Sequence, residues 1–165
     1  MPSRVRIVCP DVAFAESVGS RLQGRNVSVA VESDLERLTP ALVEAERVDL
    51  VLLAVREHEE GHLRWMSSMK RALPALEIVL LNLAGEIRLS IEGMRAGASR
   101  ELTAPFDLAA LRSTVSEALR RRKKRLGRAR PSLAERFERL MSAAAFAEAG
   151  EDRTAREILG KEESE

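Results

Sequence analysis

Val48-Asp49-Leu50-Val51-Leu52-Leu53-Ala54-Val55 is apolar at every position but one. A strand with one face in water alternates polar and apolar residues. A parallel strand covered by helices on both faces has no face to spare, and becomes a continuous aliphatic run. The stretch therefore predicts the central strand of a parallel sheet. Val5–Val8, with Arg6 interposed, and Ile78–Leu81 have the same character on a shorter scale. Val27, Val29 and Val31 alternate as a second strand, and Ser99–Leu102 reads as a short fifth.

Between these runs the apolar period changes from two to about 3.6. Asp11 is placed to cap a helix through Val12, Ala15, Val18 and Leu22 that stops by Gly24. Ser33 or Asp34 opens another, with Leu35, Leu38, Leu42 and Val43 on its inner face and Pro40 bending or splitting it. Leu63, Met66, Met69 and Leu73 give a third helix, stopped by Pro74. Ile87, Ile91, Met94 and Arg95 lie on a fourth that ends at Gly97, and Asp107 caps a fifth through Leu108, Leu111, Val115 and Leu119. Five alternations of strand and helix predict an α/β fold: a doubly wound (βα)5 sandwich with five parallel strands in flavodoxin-like order.

The chain has 165 residues and 45% hydrophobic content, enough for one core and a short appendage. Its formal net charge of +1 hides a local excess, because Arg120 to Arg130 carries eight basic side chains and no acidic one. No stop signal precedes Gly127 and Pro131, so the fifth helix is expected to run through this basic block. Beyond it Leu133, Phe137, Leu140 and Met141 mark an amphipathic helix. Gly150 breaks it, and Ala155, Ile158 and Leu159 suggest a short partner. The expected organisation is a core domain over 1–120, a basic helical extension over 121–130 and a helical hairpin tail over 131–165. Cys9 is the single cysteine, which excludes an intrachain disulfide. With no long apolar run and no signal-peptide pattern, the expectation is a cytoplasmic protein.

Ala96-Gly97-Ala98-Ser99-Arg100-Glu101-Leu102-Thr103-Ala104-Pro105-Phe106 resembles the end of a bacterial two-component receiver domain, where a helix closes on Ala-Gly-Ala and a strand runs into Lys-Pro-Phe. The resemblance covers about residues 4–120. It implies that Cys9 and Pro10 stand where the family has a magnesium-binding acidic pair, with Asp11 the one carboxylate left beside them. It implies further that Ala54 stands at the phosphorylated aspartate, Asn82 at the hydroxyl residue ending strand four, Glu101 at the switch aromatic and Ala104 at the lysine. The loop after Ala54 also lacks the family's Met-Pro and is one residue shorter before Gly61. Aspartyl phosphorylation needs a carboxylate nucleophile and a metal ion to offset the charge of the transferring group. An alanine methyl supplies neither, and the Cys9–Pro10 pair offers no hard oxygen ligands. The family resemblance thus implies a degenerate pseudo-receiver. Asp49, the only other nearby carboxylate, sits at the wrong end of its strand.

His58-Glu59-Glu60-Gly61-His62 matches the zinc-protease pattern His-Glu-x-x-His as written. That chemistry needs both histidines on one face of a continuous helix and a third ligand. Here the motif straddles the loop after strand three. Neither a metal nor another cofactor is expected, and the chain is read as a non-enzyme. Cys9 reads as a small buried hydrophobe and Trp65 as a partly buried helix residue.

The expected function is signalling in a two-component or phosphorelay context by phosphorylation-independent contact with a protein partner. A homodimer is expected through the fourth and fifth helices and the C-terminal extension. Glu101, Pro105, Phe106, Arg121, Lys124, Arg128, Phe137, Leu140 and Met141 are the candidate surface residues. The alternative is a nucleic-acid-binding regulator, RNA antitermination-like or DNA-directed, using 120–130. Basic side chains serve phosphate contacts, although aromatics are only 3% of the chain and offer little base stacking.

Overall fold

The computed structural model describes residues 1–129, 137, 138, 140 and 141. Five strands, β1 (Ser3–Val8), β2 (Val27–Glu32), β3 (Leu50–Val55), β4 (Glu77–Asn82) and β5 (Arg100–Thr103), form one sheet in the order β2-β1-β3-β4-β5. Every pairing is parallel. Between them lie α1 (Val12–Leu22), α2 (Pro40–Ala45), α3 (Glu60–Ala72) and α4 (Ile87–Ala96), and α5 (Leu108–Ala129) follows β5. This is the doubly wound, flavodoxin-like order expected from the alternation of patterns.

β3 is central and buried at all six positions. Leu50, Leu52 and Ala54 face the core beneath α1 and α5, with Ile7, Val18, Leu111 and Val115. Val51, Leu53 and Val55 face the second core, with Met66, Met69 and Leu89. A strand that feeds two cores leaves no position for a polar side chain, which is why its sequence does not alternate.

Local chemistry sets the helix boundaries. Asp11 Oδ1 accepts the Phe14 N–H at 3.0 Å and starts α1. The segment around Pro40 is split as expected: a 3-10 turn at Leu35–Arg37, then Thr39 capping α2 with Pro40 in its first turn, where a missing N–H costs nothing. Gly97 ends α4 at φ 113°, and a Cβ there would lie 2.6 Å from Lys70 Cγ, so conformation and space both demand glycine. β5 starts at Arg100, one residue later than the sequence suggests. At Ser99 the backbone N–H donates to the Ile78 carbonyl at 2.7 Å, while its hydroxyl accepts the Ile78 N–H at 3.2 Å and donates to the same carbonyl at 3.0 Å.

α4 is held thinly. The apolar residues that betray the helix in the sequence, Ile87, Ile91 and Met94, are 78%, 50% and 47% exposed, and its buried residues are Leu89 and Gly93. At the outer edge of β2, the Val29 N–H donates to Gln23 Oε1 at 2.8 Å, and Gly24 and Val27 exchange backbone hydrogen bonds.

The chain divides into two compact units, Met1–Arg125 and Leu126–Glu165. The first takes in Arg121, Arg122 and Arg125 of the basic run. In the second, α5 continues to Ala129 and passes Gly127, while Phe137, Leu140 and Met141 are exposed. The hairpin expected over 131–165 lies outside the described residues apart from positions 137, 138, 140 and 141. Among the described residues no helix is long and apolar enough to cross a membrane.

Candidate functional site

The carboxyl ends of β1 and β3 and the start of α3 enclose a cleft of about 170 Å³, lined by Pro10, Asp11, Ala54, Arg56, Glu57, Glu59 and His62. Open α/β sheets bind ligands at this edge, where strand order reverses. β1 and β3 are paired up to Val8 and Leu53, so the residues just beyond face each other across the cleft. Ala54 contributes a methyl group, 2% exposed. Arg56, two residues on, reaches back so that Nη2 lies 2.8 Å from Asp11 Oδ2, with its guanidinium carbon 5.6 Å from the centre of the Phe14 ring. The cleft thus holds a cation, fixed by the carboxylate that caps α1 and by a cation–π contact.

Cys9 is fully buried below the cleft, and burial pushes its thiol above the ordinary value. A thiol held protonated and inaccessible is a packing group, as expected from the sequence. The two histidines of the zinc-like motif part company. His58 precedes α3 and pairs with Glu92 on α4, while His62 lies in the first turn of α3 with Nδ1 3.6 Å from Glu59. Burial pushes the His62 pKa down, and Glu59 opposes the shift. Among the described residues no group of three or more potential ligands is arranged to hold a metal ion.

Asn82 and Ala104 are not in the cleft lining. The Ala104 N–H donates to the Asn82 carbonyl at 2.9 Å. The Asn82 side chain, wholly buried, shares Nδ2 among Glu86 O, Ser90 Oγ and Glu101 Oε1 at 2.9, 3.0 and 3.2 Å, and its Oδ1 accepts the Gly85 N–H at 2.9 Å. The pocket residues expected together thus fall into two groups, Pro10, Asp11 and Ala54 in the cleft above Cys9 and Asn82 with Ala104 outside it, while Glu101, expected on the surface, is half-buried against Asn82.

The surface candidates also separate. Pro105 is exposed, whereas Phe106 is half-buried and packs on the core beneath α5. Arg121 donates to the Ser99 carbonyl at 3.1 Å, and Lys124 is exposed. Arg128 lies on α5, and its side chain is outside the described residues. Arg56, Glu57, Glu59 and His62 are cleft residues that sequence reasoning missed. Arg56 was the findable one, since it follows the β3 run directly and residues past a central strand's carboxyl end face the ligand edge.

Two curated transcriptional regulatory proteins align over the same region. GlrR of Escherichia coli (strain K12) is 27% identical over 119 residues, covering 72% of this chain. ZraR of Salmonella typhimurium is 28% identical over 116 residues, covering 70%. The chain spans about a quarter of the length of these relatives, 26% in each case. No protein-family model matches it. Among solved structures, a CheY-like receiver domain protein from Methanospirillum hungatei superposes with a TM-score of 0.64 at 17% identity, over 76% of this chain and 99% of that one. NtrX from Brucella abortus does so with a TM-score of 0.68 at 20% identity, over 78% of this chain and 29% of that one.

The fold is that of a response-regulator receiver domain. In this receiver-like domain the end of β3 carries a methyl group, and the neighbouring cation is already paired.

Proposed function

We propose that the chain is an atypical response-regulator-like signalling protein of a two-component or phosphorelay pathway, a pseudo-receiver that works without being phosphorylated. One observation carries this reading: the Arg56 guanidinium sits on Asp11 beside the Ala54 methyl. Phosphoryl transfer to a receiver requires a carboxylate nucleophile and a divalent ion beside it. Here the nucleophile's position has no oxygen, and the carboxylate that follows β1, Asp11, is paired with an arginine of the same chain. Catalysis and a bound cofactor have no part in this reading, and the working compartment is the cytoplasm.

The output is contact with a signalling protein. The exposed Ile87, Ile91 and Met94 of α4 support this, because apolar side chains grouped on one helix face mark interaction surfaces. We assign the same face, with β5, α5 and the extension, to a homodimer. The direct test is incubation with acetyl phosphate, or with beryllofluoride and magnesium, followed by intact mass and fluorine NMR. No adduct is expected, and a stoichiometric one would overturn the reading.

A nucleic-acid role draws on a separate observation, the exposure of Arg120, Lys123 and Lys124 on α5. Against it, Arg121, Arg122 and Arg125 donate to Ser99, Ala75 and Pro74 carbonyls of the domain itself, which gives these three cations a structural role in the fold. Filter binding at low and high salt separates the two roles, since phosphate contacts weaken steeply with salt.

A further inference from the structure

Three donors from three elements converge on one carboxylate oxygen of β5. Glu101 Oε1 accepts from Asn82 Nδ2 of β4 at 3.2 Å, from Thr103 Oγ1 at 2.9 Å, and from Ser90 Oγ in the middle of α4. Asn82 in turn reaches the carbonyl of Glu86, the residue at the N-terminal cap of α4, and takes the Gly85 N–H that precedes it. Glu86 makes no side-chain capping bond, so the start of this helix is secured from the sheet and not from its own sequence.

The apolar anchor of α4 is small. Leu89 and Gly93 are its buried residues, and Gly93 packs so close to β4 that a Cβ there would meet Leu80 Cδ2 at 2.5 Å. α3 next to it is seated by Met66 and Met69, two large side chains that are at most 1% exposed. With so little apolar surface under α4, the polar contacts decide where it rests. An ionised carboxylate is an acceptor only, and hydrogen bonds to it are stronger than those between neutral groups. One acid on a sheet edge can therefore hold a helix that packing alone leaves loose.

We infer that Glu101 is a fixed clamp for α4: through Ser90 and Asn82 it holds the helix in one position on the sheet and so sets the placement of the face formed by Ile87, Ile91 and Met94. Glu101 acts through Ser90 and Asn82 and is a positioning residue. The inference deepens the proposed signalling role by naming what keeps its contact face in place, and it has a readout of its own. A wild-type chain that took up beryllofluoride would overturn the signalling proposal and leave the clamp untouched.

Amide hydrogen exchange of the full chain tests it. In Glu101→Ala the amides of Arg88–Ala96 should exchange roughly tenfold faster or more, while those of β1 and β3 keep their wild-type rates. A residue that merely adds global stability would raise exchange equally in the sheet and in α4. A uniform rise, or no rise in α4, overturns the inference. Should Glu101→Ala fail to fold, Ser90→Ala removes one donor while leaving the acid and the sheet intact. It should give about a threefold rise confined to α4, and wild-type exchange in that variant would be equally fatal.

Discussion

The Arg122 guanidinium donates to Asp49 Oδ1 at 2.7 Å and to the Ala75 carbonyl at 3.0 Å, joining the last helix to the residues that lead into β3 and β4. The Asp49 carboxylate also accepts the Arg4 N–H at 2.9 Å, so one acid gathers β1, β3 and α5 at the amino end of the sheet. Both side chains are largely shielded, at 16% and 27% exposure, where a charge-assisted pair is worth more than on the open surface. Arg122→Ala should lower the unfolding free energy by about 2 kcal/mol in urea denaturation. Lys124→Ala, on the exposed side of the same helix, should change it by less than about 0.5 kcal/mol. Equal effects would mean that the basic run acts only through its total charge.

Restoring a carboxylate to β3 should not restore phosphorylation. In Ala54→Asp the new acid shares its cleft with Arg56, which already holds Asp11, so a second ion pair is expected in place of a metal site. Ala54→Asp is expected to give no adduct with acetyl phosphate by intact mass. An adduct at full stoichiometry would show that Arg56 does not block the cleft.

His62 should make the domain sensitive to mild acid. Burial lowers its folded-state pKa below the ordinary imidazole value of about 6.5, so the unfolded chain takes up the proton first as the pH falls. Stability associated with the neutral ring is present above that value and is lost as pH drops below about 6.5. Thermal melts from about pH 8 to pH 5 should show the melting temperature falling below pH 6.5, and His62→Gln should flatten that segment of the curve. A wild-type profile unchanged by the substitution would place the acid sensitivity elsewhere.

Self-association through α4 predicts a clean separation of assembly from folding. Ile91 is 50% exposed and contributes little to its own core, so Ile91→Glu should leave the melting temperature within a few degrees of wild type. The same change should turn the full chain from dimer to monomer in light scattering at micromolar concentration. A wild type that is already monomeric would remove the dimer from the proposal.

The strands were legible because burial on two faces leaves an unmistakable trace: β3 has no polar position at all, β4 is polar only at its two ends, and β1 shows the trace over Val5–Val8 despite Arg6. Helix starts at Asp11 and Asp107 were legible through capping chemistry, whereas the start of α2 at Thr39 was not: the sequence placed that helix from Ser33 or Asp34. What could not be read was orientation. Ile87, Ile91 and Met94 have the spacing of a buried stripe, yet they face outward, because the approach of Gly93 to Leu80 turns the opposite face of α4 to the sheet. The Ala54 position was readable through the receiver resemblance, which aligns the end of β3. The Arg56–Asp11 pair was not, since it spans 45 residues and depends on where a long flexible side chain comes to rest.

The edge of β2 carries a consequence for how this domain can grow. A parallel sheet invites any extended chain to add itself alongside an outer strand, and an outer strand with free N–H groups is an open template. Gln23 occupies the Val29 N–H, and the Gly24–Val27 bridge occupies both polar groups of Val27. Over the first rungs of that side the ladder is occupied by the protein's own side chain and turn. A partner arriving there finds the first rungs taken, which favours recognition at helical faces, where it is written in side-chain shape and charge instead of backbone hydrogen bonds.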